Sequence, residues 1–125
     1  MFIDPSDSRP IFMQIKEGLE DAILTGTYEE ESQVPSTTEL SNHFQINPAT
    51  ALKGINELVN EEILYKKRGI GVFVKTGAVD IIRKKRQGSF KEDYLLPLLK
   101  EAKRLDIDNE TVIKLIEETN SEENL

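Results

Sequence analysis

Cysteine is absent from this chain of 125 residues, and histidine occurs once, at position 43. Without cysteine there can be neither disulfides nor a thiolate metal site. His43 has no paired ligand at metal spacing, so a structural role is expected of it. No apolar run approaches the ~20 residues that a membrane span requires, and no membrane partner is expected. The opening residues, MFIDPSDSRP, lack the basic and apolar regions of a signal peptide. A soluble, cytoplasmic protein is the resulting expectation. No nucleophile stands beside a base at a catalytic spacing, so the chain does not read as an enzyme. Gly69-Ile70-Gly71 is no nucleotide fingerprint, because the third glycine and a following phosphate-binding helix are missing. Neither a cofactor nor a metal is expected.

Net positive charge is missing too. Sixteen Lys and Arg face twenty-three Asp and Glu, a balance of −7. That total argues against a nucleic-acid partner, but its distribution answers much of the objection. Residues 65–91 hold nine of the sixteen basic residues and a single acid, Asp80. Residues 1–64 hold three basic against twelve acidic, and residues 92–125 four against ten. Binding depends on the local field at a docking face rather than on the sum. The length suits one domain with an appendage, and a chain of this size buries roughly two thirds of its unfolded surface.

The informative stretch is Pro35 to Val74. Ser36 followed three residues later by Glu39 forms a capping box and opens a helix with Leu40 and Phe44 on one face. A second helix starts at Asn47-Pro48, where Asn suits the cap and Pro the first helical position. Leu52, Ile55, Leu58 and Val59 read as its buried stripe. Two helices so closely joined must cross steeply and project the start of the second outward, which is the geometry of a helix-turn-helix reader. Ile63–Lys67 and Gly71–Val74 then read as the strands of a hairpin with Arg68-Gly69-Ile70-Gly71 between them. Lys66, Lys67 and Arg68 place three positive charges at its tip, as a phosphate-contacting wing would.

Residues 10–74 resemble the winged helix-turn-helix of GntR-family bacterial transcription regulators. The likeness is carried by PIFMQI, by Gly26 ending the first helix, by VPSTTEL, by INPATALKGINELV and by RGIGVFV, in that order. It covers just over half of the chain, and the short tail resembles the YtrA-like branch, whose members end in a small helical dimerisation module. The implied architecture is mainly α with a small β-hairpin wing. Residues 1–76 form the DNA-binding domain, and residues 77–125 form a linker helix with the C-terminal helical dimerisation module. The expected DNA-contacting residues are Ser36, Thr37 and Thr38, then Asn47, Pro48, Ala49, Thr50 and Lys53, then Lys66, Lys67, Arg68 and Gly69. Asn56 shares the exposed face of the reading helix, and Gly54 is expected to allow close packing. The family usually has an arginine where this chain has Thr38. That redistributes contacts towards the wing or lowers affinity.

Elsewhere the pattern gives a helix from Ile11 to Thr25 with Ile15, Leu19, Ala22 and Ile23 facing the core, after a mobile polar lead-in. The acidic loop with Glu29, Glu30 and Glu31 reads as a solvated charge run. Arg83-Lys84-Lys85-Arg86 spread around a helix beginning near Ala78, some flanking DNA and others pairing with the acidic tail of the same or a partner chain. In the tail, Ser89 with Glu92 makes a second capping box unless the linker helix runs through, and Pro97 should bend any helix containing it. Asp108 caps a last helix, and residues 120–125 should fray. Tyr94, Leu95, Leu98, Leu99 and Ala102, with Val112, Leu115 and Ile116, form faces that a second copy would cover.

The function implied is a dimeric, sequence-specific regulator, a repressor acting on palindromic double-stranded DNA. The resemblance further implies control of a neighbouring operon such as one for an ABC transporter. Nothing in the sequence locates a small-molecule effector. The competing reading is a winged-helix protein–protein interaction module without specific DNA binding. The acidic total and Thr38 favour it, while the basic wing and the start of the reading helix oppose it.

Overall fold

A computed structural model describes residues 3–125. Helix α1 spans Ile11–Leu24 and has no side-chain cap, its start being set by the extended backbone of Pro10. Ile15, Leu19 and Ile23, one turn apart, are fully buried along it, and Ala22 lies only half-buried at the edge of that stripe. Gln14 is buried as well, and it both accepts from the Asp4 amide (2.8 Å) and donates to the Asp4 carbonyl (3.0 Å). Ile3 packs against the core, so residues 3 and 4 of the expected mobile lead-in are instead held to the domain; residues 1 and 2 lie outside the described residues. Thr25 closes the helix, and Gly26 (φ 84°) takes the left-handed conformation that lets the chain turn away.

Helix α2, Thr37–Phe44, opens with the expected capping box: the Glu39 amide donates to Ser36 Oγ (3.0 Å) and the Ser36 amide to Glu39 Oε1 (3.2 Å). Gln45 adopts a left-handed conformation at its end, and buried Ser41 holds the turn from both sides. Its hydroxyl donates to the Ile46 carbonyl (2.7 Å), and its own carbonyl accepts from the Ile46 amide (3.1 Å). Helix α3, Pro48–Asn60, follows at once. Its buried stripe is Ala51, Gly54, Ile55 and Leu58. Leu52 does not belong to it and is 40% exposed, while Val59 lies half-buried at the margin. Gly54 faces α1, against Ile15 and the Phe12 carbonyl, and lets the axes come together, which rotates α3 and carries Leu52 out to solvent. An apolarity pattern cannot reveal this phase, because Gly does not register as apolar.

The wing consists of β1, Leu64–Lys67, and β2, Gly71–Val74, antiparallel with Leu64 opposite Val74 and Lys67 opposite Gly71. Ile63 precedes the first strand as a core residue, its amide donating to the Leu58 carbonyl. A feature unmarked in the sequence is the run of residues 31–34 along the other edge of β2. Val34 N donates to Val72 O (2.9 Å), Val74 N to Ser32 O (3.0 Å), and Glu31 N to Val74 O (2.8 Å).

The acidic loop is not simply solvated. Glu31 accepts from the Tyr65 hydroxyl (2.5 Å), the Thr76 amide (3.0 Å) and the Thr76 hydroxyl (2.7 Å). Glu30 accepts from the Val79 amide (3.1 Å) in the first turn of helix α4, Ala78–Phe90. These carboxylates therefore cap α4 and brace the wing. Ala78 and Ile82 of α4 complete the core formed by α1, α2, α3 and the hairpin.

The chain divides into two compact units, Met1–Lys85 and Arg86–Leu125. In the second, α4 runs on without a capping box at Ser89, whose hydroxyl donates to the Arg86 carbonyl instead. A π-helical turn, Lys91–Leu95, leads into α5, Leu96–Arg104. Pro97 accounts for that turn: its ring excludes the carbonyl four residues back, and widening the helix upstream relieves the clash. The Asp108 carboxylate accepts from the Thr111 amide (2.8 Å) and caps α6, Asn109–Glu123. Among the described residues of this unit only Ala102 and Val112 are buried apolar side chains.

Candidate nucleic-acid interface

The surface that could read a duplex is built from two helix starts and the hairpin. At the start of α3, Pro48 has no amide hydrogen, the Ala49 amide donates to Asn47 Oδ1 (2.8 Å), and the Thr50 and Ala51 amides donate to the Asn47 carbonyl. Asn47 thus satisfies every donor of the first turn. The attraction of this end for phosphate is that of the helix field rather than of open N–H groups. The start of α2 differs. Ser36 satisfies the Glu39 and Leu40 amides, but among the described residues the amides of Thr37 and Thr38 meet no protein acceptor. They remain donors for a phosphate oxygen.

The exposed face of α3 carries Ala49, Leu52 and Lys53, with Thr50 and Asn56 half-exposed beside them. Two of its polar groups already have partners. The Lys53 ammonium lies 4.1 Å from the centre of the Phe12 ring, an arrangement that favours the cation electrostatically. Asn56 Oδ1 accepts from Lys66 Nζ (2.6 Å), so the wing is tied to the reading helix by one of its own cations. A bidentate pairing of Asn56 with adenine needs that same oxygen and would require Lys66 to swing away.

At the tip, the Ile70 amide donates to the Lys67 carbonyl (2.9 Å), and Gly69 takes a φ of 76°. Gln33 braces this turn, its side-chain amide donating to the Ile70 carbonyl (3.2 Å). Gly71 (φ 152°) leaves the space that the Gln33 amide occupies; a Cβ there would collide with it. Gln33 is a site residue that the sequence reading missed, since only the folded hairpin brings it 37 positions along the chain. Lys67 lies over the Phe73 ring at 4.3 Å, and Phe73 stacks on Tyr65. Glu31 holds the Tyr65 hydroxyl, which raises the phenol above its ordinary range. Tyr65 and then Thr76 hold the Glu31 carboxyl below its own. Arg68 and Gly69 stand exposed at the extreme of the wing.

Of the helical cations, Lys85 turns inward. It pairs with buried Glu20 and with Glu61 (2.9 Å). Lys16 joins the cluster at Glu61 (2.5 Å) and Glu57 (3.4 Å). Partial burial works to raise the Glu61 carboxyl, but Lys16 and Lys85 outweigh it and hold it below the usual range. Burial likewise opposes the charge on Lys16, and Glu61 overrides that to raise it. This cluster joins α4 to α1 and α3. His43 packs edge-on against Phe44 (4.6 Å between ring centres), and no group of three metal-ligating side chains occurs among the described residues. No helix there is long and apolar enough to cross a membrane.

Three helices with a tight α2–α3 turn, followed by a basic hairpin beside the exposed start of α3, define a winged helix-turn-helix. The family model described as bacterial regulatory proteins, gntR family, matches residues 13–74. The transcriptional repressor YtrA of Bacillus subtilis is 28% identical over 120 residues, which are 96% of this chain and 92% of YtrA. A GntR-family protein of Bacteroides thetaiotaomicron superposes with a TM-score of 0.72 at 31% identity, covering 90% of this chain and 98% of that one. The DNA-binding domain of AraR, solved in complex with operator ORX1, matches 59% of this chain and 92% of that one, with 30% identity and a TM-score of 0.54. The chain spans under a third of the larger curated relatives YurK and NagR of Bacillus subtilis, 31% and 30% of their lengths. This chain belongs to the GntR family of bacterial transcription regulators, with the family's DNA-binding domain followed by a short helical tail. Its relatives are regulators, not enzymes.

Proposed function

We propose that the chain is a homodimeric, cytoplasmic repressor that occupies a palindromic operator. The observation that carries this reading is the hydrogen bond from Lys66 to Asn56, which sets a basic wing against the exposed face of α3. Ala49, Thr50 and Lys53 reach base edges from α3, with Asn47 and Pro48 at its start. Ser36, Thr37 and Thr38 at the start of α2, and Lys66, Lys67, Arg68 and Gly69 on the wing, hold the phosphates on either side. Residues 1–76 are the reading head, and residues 77–125 are the linker and dimerisation module.

The dimer is supported by the apolar surface that the tail leaves in water. Tyr94 is 67% exposed and Leu95 is exposed beside it, while Leu98, Leu115 and Ile116 are exposed along a groove of about 550 Å³ between α5 and α6. Leu99 is half-buried, and Ala102 and Val112 form the floor. A single chain of this size does not usually leave so much apolar area uncovered. A twofold pairing there would carry two heads to half-sites about one helical turn apart. Resemblance to YtrA supports a target operon near the protein's own gene, of the ABC-transporter kind.

The test is duplex binding by fluorescence anisotropy, with the upstream region of the gene against scrambled DNA at several salt concentrations. A preference of at least ~1000-fold is expected. Arg68→Ala should weaken binding to all sequences alike and reduce the salt slope by about one. A chain ending at Lys85 keeps Ala78 and Ile82 in the core and should sediment as a monomer. Equal weak binding to both duplexes would favour a protein-interaction module, a reading that Thr38 and the internal engagement of Lys53 also support.

A further inference from the structure

Leu52 breaks the rule that its helix otherwise follows. Every other large aliphatic side chain of α3 is buried or half-buried, whereas Leu52 stands 40% exposed in the middle of the helix. It lies four residues after Pro48, three after Ala49 and four before Asn56, so all four share one face. Pro48 and Ala49 are exposed as well. The start of the reading helix therefore presents an apolar patch of three adjacent side chains. The polar groups around it are partly occupied, Asn56 by Lys66 and Lys53 by Phe12. What this part of α3 offers a duplex without first breaking an internal contact is hydrocarbon, together with the Thr50 hydroxyl.

The major groove has one apolar feature that distinguishes base pairs, the C5-methyl group of thymine. We propose that Leu52, flanked by Pro48 and Ala49, packs on thymine methyl groups and is a specificity-determining residue of this protein. The inference rests on the DNA-reading function above and deepens it by naming the chemistry recognised. Leu52 selects an A·T pair by orientation, because thymine presents its methyl on one strand only. It contributes nothing to phosphate binding, so its effect is independent of salt. A contact through the methyl also leaves the Lys66–Asn56 bond, and with it the wing, undisturbed.

Deoxyuridine lacks only the methyl, and it provides the test. Duplexes are first selected from a randomised library with the full chain. Each thymine of the selected site is then replaced in turn by deoxyuridine. One or two thymines in each half-site should lose about fourfold in affinity, as expected for one buried methyl group, and the remaining thymines should lose little. In Leu52→Ala that penalty should disappear at the same thymines. Leu52→Met should retain it, since the side chain stays apolar and of similar volume. Both are substitutions at an exposed site by good helix formers, so folding is not at risk. Indifference of the wild-type chain to every methyl, or an undiminished penalty in Leu52→Ala, would overturn the assignment while leaving operator binding intact. A library in which no duplex is enriched would overturn the DNA-reading function and this inference together.

Discussion

Gly54→Ala gives a sharp test of how α3 is seated. In an exposed helix interior this change stabilises by about 1 kcal/mol, because Ala loses less backbone entropy. At Gly54 the new Cβ would lie 3.1 Å from Ile15 Cγ2, 3.1 Å from the Phe12 carbonyl oxygen and 3.3 Å from Ile15 Cβ. Comfortable carbon contacts lie at about 3.5–4.0 Å. Neither neighbour yields easily, since one is α1 backbone and the other is a side chain with no solvent exposure. Overpacking of this kind costs roughly 1–3 kcal/mol. Set against the propensity gain, Gly54→Ala should be destabilising by about 1 kcal/mol, and Gly54→Val by more than that. Gly88→Ala is the internal control: it lies within α4 and its Cβ would meet nothing within 4 Å. It should stabilise by about 1 kcal/mol. Urea unfolding of the three variants measures all these changes. If Gly54→Ala stabilised as much as Gly88→Ala, the close approach of α1 and α3 would be wrong, and with it the rotation that exposes Leu52.

The wing should respond to Gln33. Gln33→Ala removes the donor to the Ile70 carbonyl, so DNA affinity should fall several-fold while stability changes by less than about 1 kcal/mol; unaltered affinity would show that the tip does not depend on this brace. Gly71→Ala should cost more than 1 kcal/mol, because it adds a collision with Gln33 to a φ of 152°, and part of that cost should be recovered in the Gln33→Ala background. The Lys16–Glu61–Lys85 cluster sets a pH window. Glu61 is lowered from 4.5, so its contribution is present above that value and is lost as the pH falls through the folded value. Lys16 is raised from 10.5, so its contribution holds below that value and is lost as the pH rises through the folded one. The difference in melting temperature between the wild type and Glu61→Gln should be steady at neutral pH and shrink as the pH falls below 4.5 through the folded value; a difference that did not depend on pH in the acid range would exclude the ion pairs as its source. Asp108→Ala should cost α6 about 1 kcal/mol by removing the acceptor of the Thr111 amide, read as lost helicity by circular dichroism.

Much of the head, and the start of α6 in the tail, was legible because the signals are local. Ser36 with Glu39, Asn47 with Pro48, and Asp108 act within a turn of where they stand, and each caps the helix expected of it. Gly26 stops α1 and the glycines of the wing turn it for the same reason, a backbone angle that other residues resist. The ordered run of these signals also sufficed for the family. Contacts between distant segments were invisible. Glu30 and Glu31 read as solvated until α4 and the wing arrive to donate to them, and Gln33 has no meaning without Ile70 and Gly71 beside it. The pairing of Lys85 with Glu20 and Glu61 is likewise a contact between distant segments. The phase of α3 is the same case in miniature. The sequence by itself determined where α2, α3 and α6 start, since their capping chemistry is settled within a few residues. Only the tertiary structure decided which face of α3 is buried, because the close fit of Gly54 against Ile15 and Phe12 outweighs the burial of one more leucine.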